Sequence, residues 1–337
     1  MDDLDSTGMQ NPIFNIMGSE SPYPEDFEYE LMFKYGYEII KYFYRTNNGQ
    51  LFLIKEKKDN NEKIDNLYFL HKINLTSKEM KSQIEIDLNN LSYINSEYIL
   101  KYIKYFFVNE NKEESICIIF NYYENDLKKL IHQTNFFNSR NSWKIFIQLL
   151  LGLNSLSMNN IFLNYICPQN IFLDNKNNIK ISGFHYCLDF KPNNSNETIL
   201  PYLSQEILKK VNVDEKSCIW SLGCILYELS FKSLAFSNQD NKNLEKDILS
   251  IKYNSPIDCD KDISIILTKL ICERQKRLTL KELLLDEIIK NKIIELNMFP
   301  EVLGDNSNSK YLFFNLLFQI LIVIFPLIKG FLMQKML

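Results

Sequence analysis

Between Phe27 and Phe120 the apolar residues alternate or run in short blocks, the pattern of strands, with one interruption. GYEIIKYFYRTNNGQLFLIKE holds two β-favouring runs around an Asn-Asn-Gly turn, which predicts a hairpin. SKEMKSQIEIDLNNLSYI instead sets Met80, Ile84, Leu88 and Leu91 at helical spacing behind a capping Ser-Lys-Glu, so a helix is expected there. ESICIIFNYY returns to a strand pattern. Beyond it the chain turns helical. SWKIFIQLLLGLNSLSMNN is a long apolar helix closed by Asn, and CIWSLGCILYELSF is apolar nearly all round, which suits only a buried helix. DISIILTKLICERQKRLTLKELLLDEII reads as two helices joined by a basic turn.

The two ends differ from this middle. Residues 1–26 mix Asp, Ser, Gly and Pro and read as a disordered segment. Near the other end EVLGDNSNSK has the composition of a linker, placed at 299–310. It leads into YLFFNLLFQILIVIFPLI, Tyr311 to Ile328, a stretch without a charge. At a rise of about 1.5 Å per residue it spans roughly 27 Å, close to the thickness of a hydrocarbon core. Apolar residues surround this helix rather than striping it, so a transmembrane helix is expected in preference to one packed on a globular domain. Tyr311, Asn315 and Gln319 share a face that suits a partner helix in the membrane. The resulting plan has a small β-rich lobe (27–120), a larger helical lobe (121–298), the linker, a membrane helix (311–328) and a short tail (329–337).

Composition narrows the class. A net charge of -4 offers no electrostatic footprint for nucleic acid, so no nucleic-acid partner is expected. The seven cysteines form no CxxC pair and no metal-ligand spacing, so no metal site is expected. The opening MDDLDSTGMQ lacks the apolar core of a signal peptide. Reduced thiols and a lobe pair facing the cytosol follow, on the endoplasmic reticulum or the mitochondrial outer membrane.

Six stretches, in order, resemble the eukaryotic protein kinase domain from about residue 27 to 297, which implies an α+β, bilobal kinase-like fold. FLIK looks like the V-A-I-K strand, making Lys55 the phosphate-pairing lysine; the plain alternative is a solvated head on a buried stem. In IEIDLNNL, Asp87 stands where the family has the helix glutamate that pairs with that lysine, or is a solvated acid. IIFNYYENDLKKLI resembles the hinge, with Phe120 gating a nucleotide pocket that Asn121, Tyr122 and Tyr123 line. LNYICPQN, from Leu163 to Asn170, stands against H-R-D-L-x-x-x-N and keeps only Asn170 of the polar set, with Tyr165 at the catalytic acid's position. NIKISGFHYC matches the D-F-G turn with Gly183 for the metal-binding acid, Phe184 retained and His185 for the glycine. YLSQEIL, SCIWSLGCILYEL and ERQKRLT supply Glu206, Trp220, Ser221, Gly223 and Arg277 at structural positions, Glu206 and Arg277 as an ion pair. KINLTSKE and PQNIFL resemble NIMA-related serine/threonine kinases in particular.

The resemblance implies ATP as ligand, with weak or no magnesium. A tyrosine cannot orient a hydroxyl as a carboxylate does, because its phenol stays protonated at neutral pH. Gly183 contributes no ligand, and Mg²⁺ prefers carboxylate oxygens. Gly36 alone stands where the phosphate lid should hold three glycines. Asp174 and Asp189 are the nearest acids that could substitute. The expected function is a membrane-anchored pseudokinase that acts on protein partners as scaffold or allosteric regulator. The alternative is an unconventional serine/threonine kinase that binds ATP through Lys55 and Asn170 and turns over slowly.

Overall fold

The computed structural model describes residues 34–46, 49–57, 66–110, 113–132, 138–182, 199–211, 213–253 and 260–298. Segments 1–26, 299–310, 311–328 and 329–337 lie outside these, as do Gly183, Phe184, His185 and Asp189. Among the described residues no helix is long and apolar enough to cross a membrane. Two compact units emerge: one takes 34–84 with 101–122, the other 85–100 with 123–182 and 199–298.

The first unit is a five-stranded antiparallel sheet: β1 (Tyr37–Thr46), β2 (Gly49–Glu56), β3 (Leu67–Leu75), β4 (Tyr102–Glu110) and β5 (Glu113–Asn121), in the order β1-β2-β3-β5-β4. The hairpin expected around Asn-Asn-Gly forms, with Thr46 paired to Gly49. Gly49 is a packing requirement: a Cβ there would sit 2.7 Å from the Lys72 carbonyl oxygen and 3.0 Å from His71 Nε2. One face of the sheet buries Tyr37, Ile39, Phe52, Ile54, Leu70, Val108, Cys117 and Ile119 as a cluster. Helix α1 (Lys78–Tyr93) follows β3, capped where Ser77 Oγ accepts the Met80 N–H at 3.1 Å. Ile84, Leu88 and Leu91 are its buried face, as their spacing predicts, while Met80 is only half-buried.

The second unit is helical around one buried axis. After β6 (Asn125–Asp126) and α2 (Leu127–His132) comes α3 (Ser139–Ser157), started by Asn138, whose side chain accepts the Asn141 N–H. The short strands β7 (Ile171–Leu173) and β8 (Ile179–Ile181) complete a small sheet with β6. Helix α4 (Gln205–Leu208) precedes α5 (Glu215–Phe231), whose residues Ser217 through Leu229 are all buried, as its all-round apolar pattern requires. α3 packs against α5. Gly223 lets α7 (Lys261–Leu270) approach α5, since a Cβ would meet Leu270 Cβ at 2.7 Å. Between them lies α6 (Asn241–Leu249).

The segment expected to give two helices gives parts of three: α7, α8 (Leu280–Leu284) and α9 (Glu287–Glu295). The apolar pattern runs through Leu283 and Leu284 without a gap, but Asp286 turns its carboxylate onto the Ile288 N–H at 2.9 Å and starts a new helix. A short acid that captures its own backbone stops one helix and caps the next.

Candidate functional site

Strand alternation decides which side chains of the first unit face a ligand. Directly opposed residues of an antiparallel pair share a face, and successive residues swap faces. Glu114, Ile116, Ile118 and Phe120 line one face of β5. Lys81, in the opening turns of α1, covers it, with Nζ 2.5 Å from Glu114 and 4.2 Å from the ring centre of Phe107, which registers with Ile116. Across the ladder Ile73 opposes Ile116, His71 opposes Ile118, and Phe69 opposes Phe120. His71 and Phe69 therefore share the face on which Lys81 lies. Lys72 opposes Cys117 and lies on the other face, beside the cluster containing Leu70 and Ile119.

In protein kinases the phosphate-pairing lysine stands on the third strand and pairs with a glutamate of the following helix. FLIK forms the second strand, where Lys55 opposes Glu38 and Leu67. The assignment of Lys55 to that role is therefore corrected. Lys72 is on the right strand but the wrong face. The residue on the right strand and face is His71, which is buried. An imidazole lacks the four-carbon arm that carries an ammonium out to a phosphate. Gly36 also moves: it precedes β1 at a φ of 81°, and its carbonyl accepts the Lys57 N–H at 2.9 Å. It therefore braces the start of the sheet, and the β1–β2 turn, where a phosphate lid would be, lies beyond Thr46 at the far end of β1.

The hinge end of the same face is packed with rings. Phe120 is buried, and Phe69 opposite it meets Tyr122 edge-on at 5.0 Å between ring centres and Phe43 at 5.8 Å. Tyr123 belongs to the second unit and stacks on Phe172 at 6.4 Å. Asp87 is half-buried on α1, beside the buried Leu88.

In the second unit the loop frame is intact. Asn160, at a φ of 58°, ends the α3 turn, and Leu163, Ile166, Cys167, Pro168 and Ile171 point into the core. Pro168–Asn170 form one 3-10 turn, with the Asn170 N–H on the Cys167 carbonyl at 3.0 Å. The Asn170 carbonyl accepts both the Ser182 N–H at 3.0 Å and the Ser182 hydroxyl at 2.8 Å. These bonds hold Asn170 against the residue preceding Gly183. The half-buried side chains of this frame are Asn164, Tyr165, Gln169 and Asn170. Burial pushes the Cys167 thiol up to about 12, so it is neither a nucleophile nor a metal ligand at neutral pH.

Of the two acids expected to be nearest, Asp189 lies outside the described residues and Asp174 has structural work. Asp174 accepts the N–H groups of Lys176 and Asn178, both at 2.9 Å, and lies 3.7 Å from Lys180 Nζ, which pins the β7–β8 turn. Burial pushes its carboxyl up, but those donors and Lys180 outweigh burial and hold it below the ordinary carboxylate range. Sequence reading missed a network behind the loop. Glu228, buried on α5, takes Lys128 Nζ at 2.6 Å and the Tyr202 hydroxyl at 2.5 Å. Burial, then the Glu228 charge, drives the Tyr202 phenol well above its usual range. Its only sequence signal is a glutamate inside an otherwise apolar helix.

The structure does bring Glu206 and Arg277 together. Arg277 Nη1 donates to Glu206 Oε1 at 2.6 Å and to the Lys216 carbonyl at 2.5 Å, and Nη2 donates to the Cys272 carbonyl at 2.9 Å. Trp220 lies beneath the guanidinium at 5.1 Å and stacks on Phe236. The expected basic turn is thus a buried brace. Ser221 is tied to the Tyr202 carbonyl at 2.7 Å.

A sheet in this strand order, a helix after its third strand and a helical unit built on a buried Glu–Arg brace are the parts of one fold family. The family model described as protein kinase domain matches residues 45–289. The chain belongs to the protein kinase family. It is similar to serine/threonine-protein kinase nekl-2 of Caenorhabditis elegans, 25% identical over 77% of this chain and 76% of that protein. An Aurora kinase of Dictyostelium discoideum is 24% identical over 76% of this chain and 66% of its own length. The probable serine/threonine-protein kinase nek3 of Dictyostelium discoideum is 29% identical over 81% of this chain, which spans only 25% of that protein.

The family uses ATP with Mg²⁺, and the residues present do not fit that pair. His71 cannot reach a phosphate as lysine does, and Phe69, opposite Phe120, packs against the Tyr122 and Phe43 rings. The loop offers Tyr165 and the neutral amide of Asn170, and position 183 is glycine. Among the described residues no three His, Cys, Asp or Glu side chains are placed to hold a metal ion.

Proposed function

We propose that this kinase-family domain is a pseudokinase: it performs no phosphoryl transfer and works by binding protein partners, as scaffold or allosteric regulator. The observation that carries the reading is Tyr165. It stands at the catalytic acid's position on a loop whose backbone frame is otherwise in place, and Asp174, a described acid near it in sequence, is engaged by the Lys176 and Asn178 N–H groups. General-base assistance contributes about 10²- to 10⁴-fold to such reactions. Loss of the metal-binding carboxylate at position 183 removes the charge that holds Mg²⁺ between phosphates. The rival reading, a slow serine/threonine kinase like the relatives named above, drew on Lys55 and Asn170. Only Asn170 still supports it.

The test is transfer of radiolabelled γ-phosphate by the purified full chain, to itself and to generic protein substrates, with Mg²⁺ or Mn²⁺. Incorporation at background level is expected. Incorporation that Asn170→Ala abolishes would establish the rival reading.

The reading extends to a membrane location. The uncharged stretch 311–328 is long enough to span a bilayer, and the described cysteines are all free thiols, which suits a domain facing the cytosol. The endoplasmic reticulum and the mitochondrial outer membrane are the candidate membranes. Retention of the full chain in the pellet after alkaline carbonate extraction is expected; release into the wash would remove the anchor from the proposal.

A further inference from the structure

The small unit carries a feature that the loss of catalysis does not require. A catalytically dead kinase domain can still seat ATP, so an obstruction of the nucleotide wall is a separate property. Phe69 is that obstruction. It is 5% exposed, it opposes Phe120 across the β3–β5 ladder and Leu53 across the β2–β3 ladder, and its ring is held between those of Tyr122 and Phe43. Both ring pairs have centroid distances and tilted or edge-on orientations that aromatic pairs favour. The result is a flat apolar side chain packed at the junction of sheet and hinge-like segment, in the strip of wall that a purine needs.

We propose that Phe69 is a built-in occupant of the purine slot, so that the native chain binds neither ATP nor adenosine and its small unit is permanently in a filled state. The inference rests on the pseudokinase reading for its context but concerns binding, not transfer. Truncating Phe69 leaves a cavity walled by Tyr122, Phe43, Leu53 and Phe120. Apolar cavities of that kind stay dry and accept flat aromatic ligands. A purine is such a ligand, with ring edges that can take hydrogen bonds from the backbone at the end of β5. Because His71 replaces the phosphate-pairing lysine, the phosphates add nothing to the affinity. The emptied slot should therefore take adenosine and ATP about equally, with no need for metal.

The experiment is calorimetric titration and thermal denaturation of the full chain, native and Phe69→Ala, against adenosine and ATP, each with Mg²⁺ or with EDTA. The expected result is no heat and no shift for the native protein at millimolar ligand. For Phe69→Ala, saturable binding is expected, with Kd values for adenosine and ATP within a few-fold of each other and unchanged by EDTA. Phe69→Val keeps a β-branched residue in the strand and replaces the alanine variant if that one does not fold. Binding of either ligand by the native chain overturns the proposal whatever the variants do. So does a folded Phe69 variant that binds neither, or one that binds ATP only with metal. Native binding without phosphate transfer would sink this inference and leave the pseudokinase reading standing; native transfer would sink both.

Discussion

Replacing Arg277 by Met tests the brace of the helical unit. The guanidinium is fully buried, makes its bonds to Glu206, Lys216 and Cys272, and covers the Trp220 ring. Methionine fills much of the volume but strands the Glu206 carboxylate, itself 4% exposed, with only the Ser217 hydroxyl at 2.9 Å as a side-chain donor. Removing one partner of a buried ion pair costs about 3–5 kcal/mol. Domains of this size hold only about 5–15 kcal/mol in total, so the loss is large. With a urea m-value of about 3 kcal/mol per molar, the unfolding midpoint should fall by about 1–2 M. Both tryptophans, Trp143 and Trp220, are buried in the helical unit, so fluorescence of the full chain reports its unfolding. The pH dependence gives a second check. Burial pushes the Glu206 carboxyl up, but Arg277 and then the N-terminus of α4 outweigh it and hold it below the ordinary range. A depressed carboxyl adds stability above its unfolded pKa and loses it as pH falls through the folded one. In Arg277→Met only the Glu206 N–H and the Ser217 hydroxyl still oppose burial, so the carboxyl moves up from its native position and protonation relieves part of the variant's loss. The gap between native and variant should therefore be widest near pH 7 and narrow toward pH 4. A midpoint drop below about 0.3 M, or a gap that widens on acidification, would falsify the buried-brace account. The double variant Glu206→Gln with Arg277→Met should lose less than the sum of the two single losses.

Three further outcomes follow from individual contacts. Asp174→Ala removes two backbone acceptor contacts and a neighbour of Lys180, and should cost about 1–3 kcal/mol at pH 7. Its depressed carboxyl makes that loss shrink as pH falls below about 4, measurable by urea titration at pH 7 and pH 3. Cys167 should resist iodoacetamide at pH 8 in the folded chain and react once urea unfolds it, read by peptide mass spectrometry; rapid labelling under native conditions would contradict its burial. Gly49→Ala drives a Cβ against the backbone oxygen of Lys72, which cannot swing away as a side chain can. A loss of about 1–3 kcal/mol in thermal denaturation is expected, and a neutral result would mean that β2 and β3 separate freely there.

The helical unit was the more legible half because its signals are local. An all-round apolar run can only be the buried α5, and the residues that start the helices stand next to the bonds they make. The split between α8 and α9 escaped because Leu283 and Leu284 continue the apolar pattern straight into Asp286, whose capping bond has no periodic signature. The sheet misled for a different reason. LFLIKE and LYFLHKINL are both apolar strands carrying a lysine, and a short motif match cannot tell the second strand from the third. Strand order and the face each residue takes are set by pairing with β5, more than forty residues downstream of β3. The resemblance at Lys55 rests on four letters, whereas His71 is marked out only by Ile118 and Phe120, which pair with β3 across the ladder.

The same geometry explains how, on the pseudokinase reading, this loop keeps its shape without its chemistry. Of the residues from Leu163 to Asn170, those turned inward (Leu163, Ile166, Cys167 and Pro168) are apolar or thiol, and truncating such a core residue typically costs about 2–5 kcal/mol. Those only half-buried (Asn164, Tyr165, Gln169 and Asn170) include the positions of the kinase pattern's catalytic acid and metal-binding asparagine. The bonds that fix the loop run through the backbone, from Asn170 to Cys167 and from Ser182 to the Asn170 carbonyl, and any side chain at position 165 leaves them in place. The backbone bonds of the frame thus do not run through the side chain at position 165. On the pseudokinase reading proposed above, a tyrosine at position 165 removes the reaction and leaves the backbone frame in place.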